Sequence, residues 1–97
     1  MKLAEYRDFS GRLTVAIEDM PSLKYRFVCW RICRNFNLKK SSDYTRGLDE
    51  KFQSFSSAHG SVSIDWDNWS GFMVVSLSPA SDSLVMKISE WLKEKYG

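Results

Sequence analysis

The feature that most constrains this chain is the alternation of apolar and polar residues in the segment SVSIDWD, residues 61–67. In an extended chain Val62, Ile64 and Trp66 fall on one side, and the serine and two aspartates between them fall on the other. The next residues, DNWSG, suit a hairpin turn, and the apolar run GFMVVSLS that follows is typical of a second strand. The sequence therefore predicts an antiparallel hairpin with one apolar face that another element must cover.

Two segments outside this hairpin have the apolar spacing of an amphipathic helix. One helix is predicted to begin at Pro21, and the other at Ser78 and Pro79, because proline is favoured in the first turn of a helix. The apolar stripe of the first comprises Tyr25, Val28, Cys29, Ile32, Cys33 and Phe36, and that of the second comprises Leu84, Val85, Ile88, Trp91 and Leu92.

The N-terminal segment has two competing patterns. Its apolar residues Tyr6, Phe9, Leu13, Ala16, Ile17 and Met20 recur at helical spacing. Leu13, Val15 and Ile17 also alternate as they would in a strand. We predict a helix, with Gly11 at its start or at a bend, because glycine is unfavourable inside a helix.

The remaining segments complete a predicted α+β fold for a single domain over residues 1–97. Residues 39–47 are polar and turn-forming, which predicts the longest surface loop. Residues 48–56 are predicted to form an edge strand, and the three-residue spacing of Phe52 and Phe55 leaves a helical turn as the alternative. The expected architecture has two N-terminal helices, a small antiparallel meander of two or three strands, and a C-terminal helix packed on the sheet. The predicted core comprises Val28, Ile32, Phe36, Val62, Ile64, Val74, Leu84, Ile88 and Trp91.

Size and composition agree with a small cytoplasmic protein. A chain of 97 residues has room for one modest core, and a hydrophobic fraction of 43% distinguishes it from a disordered segment. No apolar run reaches the roughly 18 to 20 residues that span a bilayer, and the charged start does not suit a signal peptide. Two cysteines are too few for a disulfide scaffold, which favours a reducing compartment.

Neither the cysteines nor the lone histidine predicts a catalytic or metal centre. Cys29 and Cys33 lie one helical turn apart, but no second Cys or His pair would complete a zinc site, and both fall on the apolar stripe. His59 follows a serine-rich turn and belongs to no catalytic or metal-binding motif. We therefore expect no enzyme activity, no metal and no cofactor, and the oligomeric state stays open.

Charge is unevenly distributed along the chain. Residues 24–46 hold seven basic side chains and one acidic, a net charge of +6, whereas residues 47–82 hold one basic and five acidic, a net charge of −4. Arginines on the second helix suit phosphate contacts, and Phe27 and Trp30 among them suit stacking on unpaired bases. Against this nucleic-acid interpretation, we expect the N-terminal helix to cover Phe27 and Trp30, and the overall charge is only +2.

The hairpin turn carries the residues with the strongest case for a protein contact. Asp65 and Asp67 share one strand face, where a solvated surface is favoured over paired acid-base chemistry or cation binding. Trp69 lies in the turn itself. One alternative exposes it as a hot spot with an acidic rim, and the other folds it back on the sheet.

A family resemblance rests on three segments of the second half of the chain. They are Gly47-Leu48-Asp49-Glu50, the strand-turn-strand Ile64–Phe72, and the terminal amphipathic helix with Leu84, Val85 and Ile88. In this pattern the chain resembles small immunity proteins of bacterial contact-dependent growth inhibition and related polymorphic toxin systems. The resemblance implies stoichiometric neutralisation of a cognate toxin domain, often a nuclease, in the cytoplasm. Many nuclease-neutralising partners are acidic, whereas this chain is slightly basic, and that leaves the activity of the toxin open.

Two functions are therefore predicted, each with its own residues. The first is a protein-binding inhibitor of a toxin, and its predicted contact residues are Asp65, Asp67, Asn68 and Trp69, extended by Asp49 and Glu50. The alternative is a small RNA- or DNA-binding module that uses Lys24, Arg26, Arg31 and Arg34.

Overall fold

The computed structural model describes residues 3–47 and 50–96, and within them the chain forms seven β-strands and two α-helices. The strands are Leu3–Arg7 (β1), Leu13–Ile17 (β2), Lys39–Lys40 (β3), Thr45–Arg46 (β4), Glu50–Ser57 (β5), Gly60–Asp67 (β6) and Gly71–Ser76 (β7). The helices are Tyr25–Phe36 (α1) and Asp82–Tyr96 (α2), preceded by the 3-10 turns Ser22–Lys24 and Pro79–Ser81. The strands form one antiparallel sheet in the order β1-β2-β7-β6-β5-β3, and β4 also pairs with β5.

The predicted hairpin and the helices at both of its flanks are present. β6 and β7 pair with Ile64 opposite Val74 and Asp65 opposite Met73, so the alternation of the sequence becomes two distinct faces. α1 ends at Phe36 and is capped by Asn37, whose left-handed conformation (φ 54°) is a common helix stop. α2 follows Pro79 and runs to Tyr96.

The prediction of two N-terminal helices is wrong, because residues 3–17 form a β-hairpin instead. β1 pairs with β2, and β2 also pairs with β7, which places Val15 opposite Val74. The alternation of Leu13, Val15 and Ile17 therefore gives the correct assignment, and Val15 and Ile17 are buried. Gly11 does not begin or bend a helix: it has a positive φ of 78° in the tight turn between the strands.

The predicted meander of two or three strands is also too small. β5 is a strand, as expected for this part of the chain, but β3 and β4 pair with its outer side, so it is not an edge. Both short strands lie within residues 39–47, which were predicted to be a loop. Two residues of strand are too few to show a period in the sequence.

Both helices pack on the same face of the sheet and form a two-layer fold. One buried cluster joins them to alternate residues of the central strands: Val28 and Ile32 of α1, Leu84 and Ile88 of α2, and Val15, Ile17, Val62, Ile64, Phe72 and Val74 of the sheet. Seven of the nine predicted core residues are buried, and Phe36 and Trp91 pack edge to face at the rim, with ring centroids 6.3 Å apart. No described helix packs on the opposite face of the sheet, although Thr14, Ala16 and Val75 on that face are themselves buried.

Candidate binding surfaces

The side of the sheet that no described helix covers, here called the open face, is defined by Tyr6, Phe52, Ser63, Asp65, Asp67 and Met73. The strand register fixes their order, because residues directly opposite each other share a face. Asp65 lies between Phe52 on β5 and Met73 on β7, and Asp67 lies between Glu50 and Gly71. The strand alternation thus brings Asp65, Asp67 and Glu50, three of the sequence-predicted contact residues, to one end of this face.

Asp67 holds the turn that follows β6. Its Oδ1 accepts hydrogen bonds from the backbone N–H groups of Trp69, at 2.8 Å, and Ser70, at 2.5 Å. An aspartate that accepts from the backbone two and three residues later is a frequent way to close a turn. Asp67 therefore has a structural role in addition to its negative charge, which the alternation pattern alone did not reveal.

Asp65 is half-buried, and its carboxylate is perturbed. Burial raises the pKa of Asp65 to about 6, the hydrogen bond donated by the Ser63 hydroxyl opposes this rise, and the negative charges of Asp67 and Glu50 add to it. A carboxylate in this state is mostly ionised at neutral pH, although neither burial nor its neighbouring carboxylates favour its charge. A cation supplied by another molecule would relieve that penalty.

Trp69 lies at the tip of the turn with 81% of its surface exposed. Among the described residues its ring has no aromatic partner, and the hydrogen bond at this position is made by its backbone. The structure thus favours the exposed alternative for this tryptophan over one in which it folds back on the sheet. Asn68 is also exposed beside it, whereas Asp49 lies outside the described residues.

Tyr6 and Phe52 add exposed apolar area to the open face that the sequence analysis did not include. The Tyr6 hydroxyl donates a hydrogen bond to the Met73 sulfur at 3.9 Å, and burial, followed by the charges of Asp67 and Glu18, raises the pKa of Tyr6. Tyr6 was missed because its segment was predicted to be helical. Its position opposite Thr14 in the β1–β2 hairpin is the signal that identifies its face.

The carboxylates of the open face have no ion-pair partner among the described residues. The three ion pairs there join Arg7 to Asp82, Lys93 to Glu5, and Lys95 to Glu94. The first two connect β1 to α2 and lie on the helix side of the sheet. The negative charges of Asp65, Asp67 and Glu50 are therefore not neutralised by arginines or lysines of the described chain.

The basic residues of the second predicted function do not form one patch. Lys24 is exposed in the 3-10 turn before α1, and the Arg26 guanidinium lies over the Tyr44 ring at 4.8 Å from its centroid. Arg31 and Arg34 instead line an open groove between α1 and α2 of about 520 Å³, here called the helix groove, with Trp30, Asn35, Trp91 and Lys95. The structure thus brings two of the four predicted residues together.

Phe27 and Trp30 are exposed by 59% and 56%, and their rings stack with centroids 6.4 Å apart. The expectation that an N-terminal helix would cover them is wrong, because that segment is a β-hairpin on the far edge of the sheet. The main argument against a nucleic-acid surface on α1 is thereby removed.

The other candidate residues, His59, Cys29 and Cys33, do not form a common site with the carboxylates of the open face. His59 is exposed in the turn before β6, whereas Asp65 lies five residues from the start of that strand, roughly 17 Å away at about 3.4 Å per residue. Cys29 is a member of the core cluster, and its hydrogen bond with Cys33, together with burial, raises the pKa of the Cys29 thiol. In residues 3–47 and 50–96 no group of three or more His, Cys, Asp or Glu side chains is placed to hold a metal ion.

Comparisons with known proteins do not identify a family for this chain. No protein-family model matches the chain, and neither the curated proteins nor the solved structures contain a match. The resemblance to immunity proteins therefore stays a prediction. None of the helices in the described part of the chain has the length and apolar character that crossing a membrane requires.

Proposed function

We propose that the open face and the Trp69 turn bind a basic surface of a partner protein, and that the chain inhibits a toxin domain in this way. The observation that carries the proposal is the sheet face that no described helix covers, which ends in an exposed tryptophan beside carboxylates that have no ion-pair partner in the described chain. The resemblance to immunity proteins supplies the toxin as the class of partner.

Trp69 has the properties of a binding hot spot. Tryptophan is enriched among the residues that dominate interface energies, and Trp69 has most of its surface available for burial. The hydrogen bonds from its turn to Asp67 hold the backbone in place before a partner arrives. A side chain on a preorganised turn loses less conformational freedom on binding, which favours affinity.

The local charge of the open face matters more for a partner than the net charge of the chain. The overall charge is +2, but Glu50, Asp65 and Asp67 lie together on the sheet side and the arginines Arg31 and Arg34 lie on the helix side. A basic partner surface would be attracted to the first of these regions and repelled by the second. The slightly basic composition is therefore compatible with an acidic inhibitory surface.

A specific complex covers only a small part of the surface of a chain of this size. A protein interface of standard size removes about 800 Å² from each partner. This is roughly one-seventh of the 5929 Å² that the chain exposes. Trp69, Tyr6 and Phe52 are exposed side chains that such an interface would bury.

The experiment begins with the product of the neighbouring reading frame, because immunity proteins are encoded next to their toxins in the systems that this chain resembles. We would measure its affinity for the wild-type chain and for Trp69→Ala by isothermal titration calorimetry, and its toxicity in cells with each version. Loss of a hot-spot side chain is expected to weaken binding by about 30-fold or more.

Trp30→Ala is the matched control, since it removes an equally large exposed indole from the opposite layer. It should leave the affinity unchanged. Equal affinities of wild type and Trp69→Ala would contradict the assignment of the surface. A neighbouring product that neither binds the chain nor is neutralised by it would contradict the inhibitor function.

A further inference from the structure

We infer that the helix groove is a second binding surface and that its ligand is a single-stranded nucleic acid. This inference is independent of the function proposed for the open face, because the groove lies on the other layer of the fold. It rests on the fixed position of one arginine, on two exposed stacked rings, and on the absence of acidic residues from α1.

Arg31 is held in place by aromatic rings on both helices. Its guanidinium lies 5.8 Å from the ring centroid of Phe27 on α1, and 5.2 and 5.5 Å from those of Trp91 and Tyr96 on α2. It also donates a 2.7 Å hydrogen bond to the Tyr96 hydroxyl. None of these partners is an anion, so the positive charge is not neutralised. A guanidinium that is oriented before binding suits a phosphate group, which it contacts with two N–H donors.

Trp30 and Phe27 provide the surface for bases. They lie one turn apart on α1, stack on each other, and expose more than half of their surface. The Arg34 guanidinium lies 5.5 Å from the Trp30 ring centroid, so a cation accompanies the exposed indole. Aromatic rings that alternate with arginines are the arrangement with which proteins bind unpaired bases and the phosphates between them.

The charges around the groove favour a polyanion. α1 contains Arg26, Arg31 and Arg34 and no Asp or Glu, and Lys95 of α2 completes the lining. On α2, Glu90 and Glu94 directly precede the groove residues Trp91 and Lys95, and Glu94 forms an ion pair with Lys95 at 3.8 Å. A protein with a basic surface would repel this groove, so charge complementarity also separates its ligand from the partner proposed for the open face.

A single strand fits this geometry better than a duplex. From Phe27 to Arg34 the helix rises about 10 Å, at about 1.5 Å per residue, which accommodates a short segment of a few nucleotides. In a duplex the bases are already stacked and paired, so no base would be free to stack on the rings of Phe27 and Trp30. The groove therefore predicts recognition of flexible, unpaired strands without strong sequence preference.

The test uses fluorescently labelled oligouridylate and oligothymidylate, with a duplex of the same length as the third probe. We expect both single strands to bind more tightly than the duplex, and stronger binding of one would identify RNA or DNA as the ligand. Arg31 and Arg34, each in contact with one phosphate, predict a slope of log K against log salt concentration of about −1.4, at about 0.7 per phosphate. Trp30→Ala should weaken binding about fivefold or more through loss of stacking.

Matched controls separate a specific groove from general attraction to a polyanion. Arg34→Ala should weaken binding and make the salt slope shallower, whereas Arg12→Ala, which removes the same charge from the exposed β1–β2 turn, should change neither. Trp69→Ala should also bind as the wild type does. Absence of binding, equal effects of Arg34→Ala and Arg12→Ala, or a duplex preference would overturn the inference, as would a protein ligand whose binding depends on Trp30.

Discussion

The Asp67 carboxylate accepts a hydrogen bond from the backbone N–H of Trp69, so an acidic side chain of the open face also fixes the turn that exposes the tryptophan. The same oxygen accepts from Ser70. Charge and shape are therefore coupled at this end of the sheet, and a substitution of Asp67 affects both. Experiments on the surface must separate the two effects.

Replacing Asp67 tests its role in the turn. Asp67→Ala removes the acceptor of two backbone hydrogen bonds and is expected to lower the free energy of unfolding by about 1 to 3 kcal/mol. Asp67→Asn keeps an acceptor oxygen and should cost less than half as much. Urea denaturation of both variants measures the difference.

Asp8→Ala is the control for this pair, because Asp8 accepts from the backbone N–H groups of Ser10 and Arg12 in the β1–β2 turn. It should destabilise the fold by a similar amount and leave the affinity of the partner unchanged. Similar costs for Asp67→Asn and Asp67→Ala would show that the charge of Asp67, and not its acceptor oxygen, supports the turn.

Gly71 allows a close approach between the Trp69 turn and the end of β2. It has a positive φ of 71°, and a Cβ there would lie 2.5 Å from the carbonyl oxygen of Ile17 and 2.6 Å from that of Glu18. Because both neighbours are backbone atoms, Gly71→Ala is expected to cost roughly 3 kcal/mol or more, or to prevent folding. Thermal or urea denaturation measures the loss.

Gly11→Ala is a matched control for Gly71→Ala. Gly11 has a similar φ of 78°, but a Cβ there meets no atom within 4 Å. Its substitution should therefore cost only the left-handed backbone strain, about 1 to 2 kcal/mol. Equal losses at the two positions would show that the approach to β2 does not matter.

Asp65 should make stability depend on pH in the direction opposite to most carboxylates. Its pKa of about 6 in the fold lies above the ordinary value of 3.8, so the fold favours the protonated form. This contribution is fully present below about pH 4 and is lost as the pH rises through about 6. Asp65→Asn, which resembles the protonated form, should become more stable than the wild type across that range, by on the order of 1 kcal/mol after allowance for solvent screening.

Glu5 provides the comparison of opposite sign. Hydrogen bonds from Lys93, at 2.8 Å, and Ser89, at 2.9 Å, lower the pKa of Glu5. Its contribution is therefore present at neutral pH and is lost as the pH falls below its ordinary value of 4.5. Glu5→Gln should be less stable than the wild type at neutral pH, by under about 1 kcal/mol, and should approach it in acid.

Urea denaturation of Asp65→Asn and the wild type from pH 4 to 7 tests the assignment for Asp65. A difference in the free energy of unfolding that does not change over this range would contradict it.

The sequence predicted correctly those elements whose apolar periodicity is strong and fits only one type of secondary structure. The β6–β7 hairpin and both helices are present because alternation between 61 and 67 and the stripes around Ile32 and Ile88 each fit one structure. The N-terminal segment fitted both a helix and a strand. Which of them forms depends on a long-range contact that a local sequence pattern does not show. β2 pairs with β7, almost 60 residues later, and that pairing makes the strand more stable than the helix.

The candidate sites depended on the fold to different degrees. Asp65 and Asp67 could be assigned to one face from alternation alone. Phe27 and Trp30 were predicted to be covered by an N-terminal helix, and they are exposed because that helix does not form. Tyr6 and Phe52 joined the open face only through strand register, which is a long-range property. The exposure of Trp69 depended on the packing of the turn, which the sequence left undecided.

The indole N–H signals of the four tryptophans test the central claim most directly, because they report on both layers of the fold in one NMR spectrum. The Trp66 indole donates to the backbone oxygen of Met20 at 2.8 Å and serves as an internal reference. Titration with the protein partner should shift or broaden the Trp69 signal and leave those of Trp30 and Trp91 in place. A response at Trp30 and Trp91 with an unchanged Trp69 signal would show that the partner binds the helix layer and would contradict the open face as the binding surface.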